Sequence, residues 1–137
     1  MAYTNIDKGS DYFNTVLYTG NGTDATAITG VGFQPDLVWV KERSSTSSHK
    51  VANVVSGATK ELETNNTGAE GTNTTGLQSF DSDGFTLGTS VAWNENTQTY
   101  ASWNCLASNT TAANTDGSIT ATVSANTTSG FSIVSYT

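Results

Sequence analysis

The sequence predicts an all-β domain, an antiparallel and jelly-roll-like β-sandwich with little or no helix. Charged residues make up only 12% of the 137 residues, against about 25% in an average soluble domain. Threonine, serine, asparagine and glycine take their place, and these residues suit half-buried strands and the tight turns between them. About eight to ten short apolar or alternating stretches lie between turn residues, a spacing typical of sandwiches and jelly rolls.

The first half of the chain contains four predicted strands, at residues 12–19, 25–31, 36–42 and 49–55. A Gly-Asn-Gly turn at residues 20–22 ends the first of them, because Gly and Asn accept the left-handed backbone of tight turns. Residues 36–42 (DLVWVKE) are apolar at most positions on both faces, which is typical of a central strand covered on both sides. Trp39 is therefore predicted to lie in the core.

The second half combines polar loops, hairpins and two closing strands. Residues 58–63 are compatible with one helical turn, and residues 64–76 (TNNTGAEGTNTTG) form a long polar loop. Two hairpins are predicted, with strands at 77–80 and 84–87 and at 90–93 and 97–106. After a second polar loop at 107–116, the last predicted strands are 118–124, which alternates as SITATVS, and 129–137.

The charge balance argues against two classes of partner. The formal net charge is −7, and the pI is about 4.2. The five basic residues never form a run, whereas nucleic acids and anionic membranes are bound by clusters of Lys and Arg. We therefore expect neither nucleic acid nor a membrane as a partner. The first ten residues lack the apolar stretch of a signal peptide, so synthesis in a cytoplasm is expected.

The chain has few of the residues that catalysis and cofactor binding require. The chain has one histidine, His49, and one cysteine, Cys105, whereas a zinc site needs three or four His, Cys or carboxylate ligands. The serines near His49 are its sequence neighbours, whereas a catalytic triad draws its members from separate elements. No two carboxylates share a strand face with aromatic neighbours, as a glycosidase would need. The prediction is a non-enzymatic protein without cofactor or metal.

One segment has the composition of a glycan-binding surface. Trp93, Tyr100 and Trp103 lie in AWNENTQTYASWN (residues 92–104) together with four Asn or Gln side chains. Aromatic faces stack on sugar rings and amides hydrogen-bond their hydroxyls, so these three residues are the candidate glycan contacts. The alternative is that the rings fill the sandwich core, which is the usual place for aromatic residues in a small domain.

The last predicted strand resembles the first. Residues 11–20 read DYFNTVLYTG and residues 129–137 read SGFSIVSYT, so the same order of aromatic, polar and aliphatic residues, Tyr and Thr recurs. Residues 129–137 are interpreted as either the start of a second repeat unit or the closing strand of this one. Arrays of repeated units are typical of extended structural or adhesive proteins.

Five stretches carry a family resemblance. They are GFQPDLVWVKE (32–42), SGATK (56–60), SFDSDGFTLG (79–88), YASWN (100–104) and NTDGSITATVSANTTSGFSIVSYT (114–137). In these stretches the chain resembles a repeated β-sandwich module of virion and tail-fibre proteins of marine phages, especially those of cyanobacteria. Modules of this kind are sometimes labelled concanavalin A-like lectin/glucanase-like. The resemblance extends over nearly the whole chain from Tyr12 onward.

The chain departs from that module at two places. Ser56 stands where related modules have Arg, and Cys105 and Leu106 stand where they have Trp and Lys. A ligand or partner contact made by that Arg is therefore in doubt here. The resemblance implies no catalytic residues.

The residues and the resemblance together predict a structural protein of a bacteriophage virion. Residues 1–10 are predicted as a docking arm, with Tyr3, Ile6 and Lys8 as candidate contacts to other virion proteins, and residues 11–128 as the β-sandwich. The favoured role is the N-terminal, virion-proximal module of a tail fibre or appendage, assembled as a homo-oligomer and most readily as a trimer. Two alternatives stay open: a capsid decoration protein, and a lectin-like host-recognition module that binds a host surface glycan.

Overall fold

A computed structural model describes residues 6–137. Within this range the chain forms a short 3₁₀ turn (Gly9–Asp11), twelve β-strands and one turn of α-helix, α1 (Val91–Asn94). The strands are β1 (Phe13–Thr19), β2 (Thr26–Thr29), β3 (Leu37–Glu42), β4 (Lys50–Asn53), β5 (Lys60–Glu63), β6 (Gly71–Thr72), β7 (Leu77–Asp81), β8 (Gly84–Leu87), β9 (Thr99–Cys105), β10 (Ala112–Asn114), β11 (Ala121–Asn126) and β12 (Phe131–Tyr136).

The strands form three antiparallel sheets. The largest has six strands in the order β1-β9-β3-β4-β5-β6, and the other two have the orders β2-β8-β7 and β10-β11-β12. Every pairing is antiparallel. The predicted all-β, antiparallel sandwich is therefore confirmed, including the hairpin formed by β7 and β8.

The core lies between the six-stranded sheet and the sheet β2-β8-β7. One face of the larger sheet, called the inner face below, packs against the smaller sheet and the α1 turn. The buried residues of this core are Ile28, Val38, Val40, Ala52, Leu77, Phe85, Leu87, Trp93 and Tyr100. Successive side chains of a strand point to opposite faces, so the alternate residues of the same strands form the opposite, outer face.

A buried carboxylate connects the third sheet to the body of the domain. Asp36 is 0% exposed, and its Oδ2 accepts hydrogen bonds from the backbone N–H of Ala107 at 2.6 Å and of Asn109 at 3.1 Å. Burial raises the pKa of Asp36. Ser124, also fully buried, accepts a hydrogen bond from the N–H of Ser108. These contacts fix the chain at the point where it leaves β9 for β10.

Two segments predicted as loops, 64–76 and 107–116, each contain a short strand, β6 and β10. Two further predictions assign the wrong type of element. The segment predicted as a helical turn contains β5, because Lys50 and Val51 of β4 pair with Glu63 and Leu62. The segment predicted as the strand 90–93 instead contains α1, in which the N–H groups of Trp93 and Asn94 both donate to the carbonyl of Ser90. In both cases tertiary partners outweigh a weak local preference.

Trp39 does not lie in the core. β3 is central within its sheet, between β9 and β4, but only Val38, Val40 and Glu42 point to the buried inner face. Trp39 points to the outer face and is 39% exposed. The prediction of a strand covered on both sides is therefore wrong.

Candidate functional site

The outer face of the six-stranded sheet carries a row of apolar side chains. We call this row the outer-face band; it comprises Phe13, Leu17, Leu37, Trp39, Val51, Leu62 and Trp103. Four of its members are exposed over more than a third of their surface: Phe13 is 49% exposed, Leu17 61%, Trp39 39% and Leu62 40%. Contiguous apolar surface of this kind marks interaction sites more often than scattered exposed residues do.

The strand register brings the band together. Trp39 lies opposite Trp103 of β9 on one side and opposite Val51 of β4 on the other. Val51 in turn lies opposite Leu62 of β5. Residues directly opposite in an antiparallel pair have Cβ atoms about 5 Å apart. The apolar row therefore continues across four neighbouring strands, and β1 adds Phe13 and Leu17 at the end beside β9.

Two tryptophans form the centre of the band. The ring centroids of Trp39 and Trp103 are 5.4 Å apart, and the ring planes are inclined by 46°. The ring of His49 lies 6.1 Å from that of Trp39 on the other side. Aromatic rings in this arrangement offer a large, rigid contact area to a partner with little loss of side-chain freedom.

The band differs from the rest of the protein in charge. All three carboxylates on strands of this sheet, those of Glu42, Glu61 and Glu63, alternate onto the inner face. The strands place only Lys41 and Lys60 as charged residues on the outer face. A chain with a net charge of −7 thus has a sheet face without strand carboxylates, as is typical of the central part of a protein interface. The loop residue Glu70 adds a carboxylate at the border of this face, where it lines a groove with Leu62.

Two of the three candidate glycan residues are buried, which corrects that part of the prediction. Trp93 and Tyr100 are both 0% exposed, so their faces cannot stack on a sugar. Trp93 Nε1 donates to Glu61 Oε2 at 2.7 Å. Tyr100 stacks on Tyr18 with a centroid distance of 4.9 Å, and its hydroxyl donates to the carbonyl of Val91.

Trp103 is the candidate glycan residue that reaches the surface. It is half-buried on the outer face, beside Trp39. Sequence reasoning missed Trp39 because DLVWVKE is apolar at successive positions, which hides the alternation. The signal that could have identified it is Lys41, two residues further along the same face of the strand.

The predicted docking residues are only partly described. Tyr3 lies outside the described residues. Ile6 lines a cavity of about 300 Å³ together with Tyr12, Phe13, Cys105 and Phe131. Lys8 forms an exposed ion pair with Asp11, with Lys8 Nζ 3.0 Å from Asp11 Oδ1. The last part of the predicted arm therefore lies against the end of β1, and its docking role stays a prediction.

A cluster of charged side chains lies at the edge of the inner face. Lys50 Nζ contacts Glu61 Oε1 at 2.8 Å and Glu63 Oε1 at 2.5 Å, and the Lys50 and Glu61 side chains are only 10% and 12% exposed. Burial acts to lower the pKa of Lys50, but the hydrogen bonds to the two carboxylates and their charges together outweigh it, so the pKa is raised. The hydrogen bond from Lys50 lowers the pKa of Glu63. The cluster joins β4, β5 and α1, since Glu61 also accepts from Trp93.

Residues 6–137 offer no group of three or more His, Cys, Asp or Glu side chains arranged to hold a metal ion. In the same range, no helix has the length and apolar character to cross a membrane.

The fold and this surface define a class, that of small antiparallel β-sandwiches that leave part of one apolar sheet face exposed. β12 borders that face, since Phe131 lines a cavity with Phe13 and Tyr136 lines a groove with Leu62. The chain belongs to a family described as Domain of unknown function (DUF7483), whose family model matches residues 8–137. Neither a curated protein nor a solved structure matches the chain.

Proposed function

We propose that the chain is a non-enzymatic structural module of a phage virion, packed against a neighbouring virion protein through the outer-face band. The observation that carries the proposal is an exposed apolar row, with two tryptophans at its centre, on a sheet face without strand carboxylates. The resemblance of the chain to modules of marine phage virion proteins supports the virion as the place where the chain acts. Within a virion, the role that the resemblance favours is a module of a tail fibre or similar appendage.

The dimensions of the band suit a protein partner. From β1 to β5 it extends over five neighbouring strands, or about 19 Å at about 4.8 Å per strand. A standard interface buries about 800 Å² on each partner, with an apolar centre and a polar rim. The exposed members of the band supply such a centre, and Lys41, Lys60 and the strand threonines surround it. The extent of the band across the sheet therefore suits the apolar centre of a protein interface.

The third sheet supports a modular arrangement. Val134 and Tyr136 of β12 correspond in sequence to Val16 and Tyr18 of β1. Val16 and Tyr18 pack against the core, whereas Val134 is 49% exposed and Tyr136 69%. Val134 and Tyr136 line a groove with Leu62 of the outer face, and the surface that they leave exposed favours a further unit packing on it, as in a repeat protein. A capsid decoration protein, the alternative, needs no such repetition.

The first test is the composition of the virion itself. In purified particles of the phage that encodes the chain, mass spectrometry is expected to detect the chain at a fixed copy number. In a phage carrying Trp39→Ser with Leu62→Ser, the copy number per particle is expected to fall at least tenfold, because the apolar centre of the contact is lost.

The matched control is Val91→Ser. Val91 is 63% exposed and apolar but lies on α1, outside the outer-face band. Circular dichroism of each purified variant checks that the fold is kept. Absence of the wild-type chain from purified particles would contradict the virion role, and normal incorporation of the double variant would contradict the role of the band.

A glycan-binding role is the second candidate, favoured by the pair of half-exposed tryptophans on the outer face. Sugar rings stack on such aromatic surfaces. Titration with oligosaccharides from host envelopes is expected to change the tryptophan fluorescence, and Trp103→Ala is expected to abolish that change. Trp39→Ala should weaken binding as well, while buried Trp93 contributes an unchanging background. An unaltered spectrum across a panel of host glycans would exclude this candidate.

A further inference from the structure

The six-stranded sheet ends in a long strand with an open edge. Among residues 6–137, β1 pairs with β9 alone. The N–H of Leu106 donates to the carbonyl of Tyr12, and the N–H of Gly20 donates to the carbonyl of Gln98, both at 2.8 Å. Since hydrogen-bonded pairs alternate along an antiparallel ladder, Asn14, Val16 and Tyr18 direct their backbone groups toward β9.

The intervening residues of β1, Phe13, Thr15, Leu17 and Thr19, direct their backbone groups to the open edge. One of these groups has a local partner, because the N–H of Thr15 donates to the side chain of Asn14 at 3.0 Å. The side chains of Phe13 and Leu17 stand above this edge and are about half exposed or more. β1 thus offers both unpaired backbone groups and apolar side chains.

The edge lacks the usual protection against strand pairing. Edge strands are commonly shortened, bulged, or given Lys or Pro so that other chains do not pair with them. β1 is seven residues long, with an unbroken register to β9, and residues 12–23 contain neither a charged residue nor proline. The opposite edge of the same sheet, β6, is only two residues long. One edge of the sheet is therefore protected by its short length, whereas the β1 edge is long and uncharged.

We propose that β1 is the self-association surface of the chain, and that it pairs in antiparallel orientation with β1 of a second copy. In the register centred on Val16, Thr15 lies opposite Leu17 of the other copy and Phe13 opposite Thr19. Each of the four edge-directed residues then lies opposite an edge-directed residue of the other copy. The ladder spans the whole strand once the N–H of Thr15 exchanges its Asn14 acceptor for the carbonyl of Leu17 of the other copy. Two six-stranded sheets become one continuous sheet, and the two outer-face bands become one surface.

Charge favours a second copy at this place. Two chains that each carry a net charge of −7 repel one another wherever their acidic surfaces meet. The uncharged stretch 12–23 and the outer face without strand carboxylates keep that repulsion low at a β1 contact. Antiparallel pairing of identical strands has twofold symmetry and closes as a dimer. The trimer predicted from the fibre resemblance is thus a competing outcome, and the inference does not depend on the virion role.

The test measures the mass of the full chain in solution by light scattering and sedimentation over a range of concentrations. The wild-type chain is expected to be a dimer, and Leu17→Lys is expected to weaken dimerisation at least tenfold, because a charge then stands on the edge. Leu62→Lys is the matched control, an equally drastic change at an exposed position of the same face away from the edge. It is expected to leave the dimer intact.

A cross-link tests the register independently of any loss of folding in Leu17→Lys. With Cys105→Ser to remove the native thiol, Val16→Cys is expected to give a disulfide-linked dimer on mild oxidation, since directly opposed residues of a non-hydrogen-bonded pair lie about 4.5 Å apart at Cα. Thr122→Cys, on β11, is expected to give none. A monomeric or trimeric wild-type chain, or equal loss of the dimer in Leu17→Lys and Leu62→Lys, would overturn the proposal.

Discussion

Replacing Trp93 by alanine is expected to lower the free energy of unfolding by about 3–5 kcal/mol, the usual range for removing a large aromatic residue from a core. Trp93 is 0% exposed and belongs to the core cluster between the sheets. The substitution leaves a cavity beneath α1. It also removes the hydrogen bond from Nε1 to Glu61, so a nearly buried carboxylate loses one of its donors. Denaturant titration followed by circular dichroism measures the change.

Trp93→Phe is the matched variant for this prediction. It keeps most of the buried volume but loses the Nε1 donor. The stability of this variant therefore separates the contribution of packing from that of the hydrogen bond to Glu61. A loss of about 1–3 kcal/mol is expected, the range for leaving a buried polar group without its partner. Equal stability of Trp93→Ala and the wild-type protein would show that Trp93 does not fill the core.

Replacing Lys50 by methionine is expected to lower the free energy of unfolding by about 3–5 kcal/mol, as when one partner of a buried ion pair is removed. Without Lys50 Nζ, the carboxylates of Glu61 and Glu63 lie side by side with no cation between them. The double variant Lys50→Met with Glu61→Gln should recover part of the loss, because glutamine still accepts from Trp93 without a buried charge. A cost below about 1 kcal/mol for the single variant would indicate a solvated cluster.

The same variant has a distinct pH dependence. Lys50 lowers the pKa of Glu63 in the folded protein, so this pair stabilises the wild-type fold above the usual pKa of glutamate, and the contribution is lost as the pH falls through the lowered value. In Lys50→Met the two carboxylates repel until one of them is protonated. The difference in stability between the two proteins is therefore expected to shrink as the pH falls below about 4.

Strands bounded by strong turn residues could be predicted from the sequence. The hairpin β7–β8 encloses Ser82 and Asp83, and β1 ends where a Gly-Asn-Gly turn begins. Local chemistry determines both features, because turn residues set the ends and apolar residues set the strands. Residues 60–63 (KELE) carry no such signal. They form a strand because Glu61 and Glu63 meet Lys50 of the neighbouring strand.

The candidate site was harder to predict than the fold. The sequence shows that tryptophans occur at 39, 93 and 103, but the face on which each one lies depends on which sheet covers which. Trp93 lies on α1, whose inward direction depends on Ser90 and Glu61, while Trp39 lies opposite Trp103 only because β3 and β9 are neighbours. That pairing joins residues more than 60 positions apart, beyond the reach of local patterns.

The position of β1 in the sheet also determines when the chain can fold. Its hydrogen-bonding partner β9 comes late in the chain; Asn14 and Asn104, which share a hydrogen bond, are 90 residues apart. Contacts this distant in sequence slow folding, because a large loop must close before they form. During synthesis, β1 leaves the ribosome before β9, and it has no strand partner while the residues between them are made. Throughout that interval its uncharged, apolar residues can pair with strands of other chains. We therefore expect rapid expression to favour aggregation of this protein.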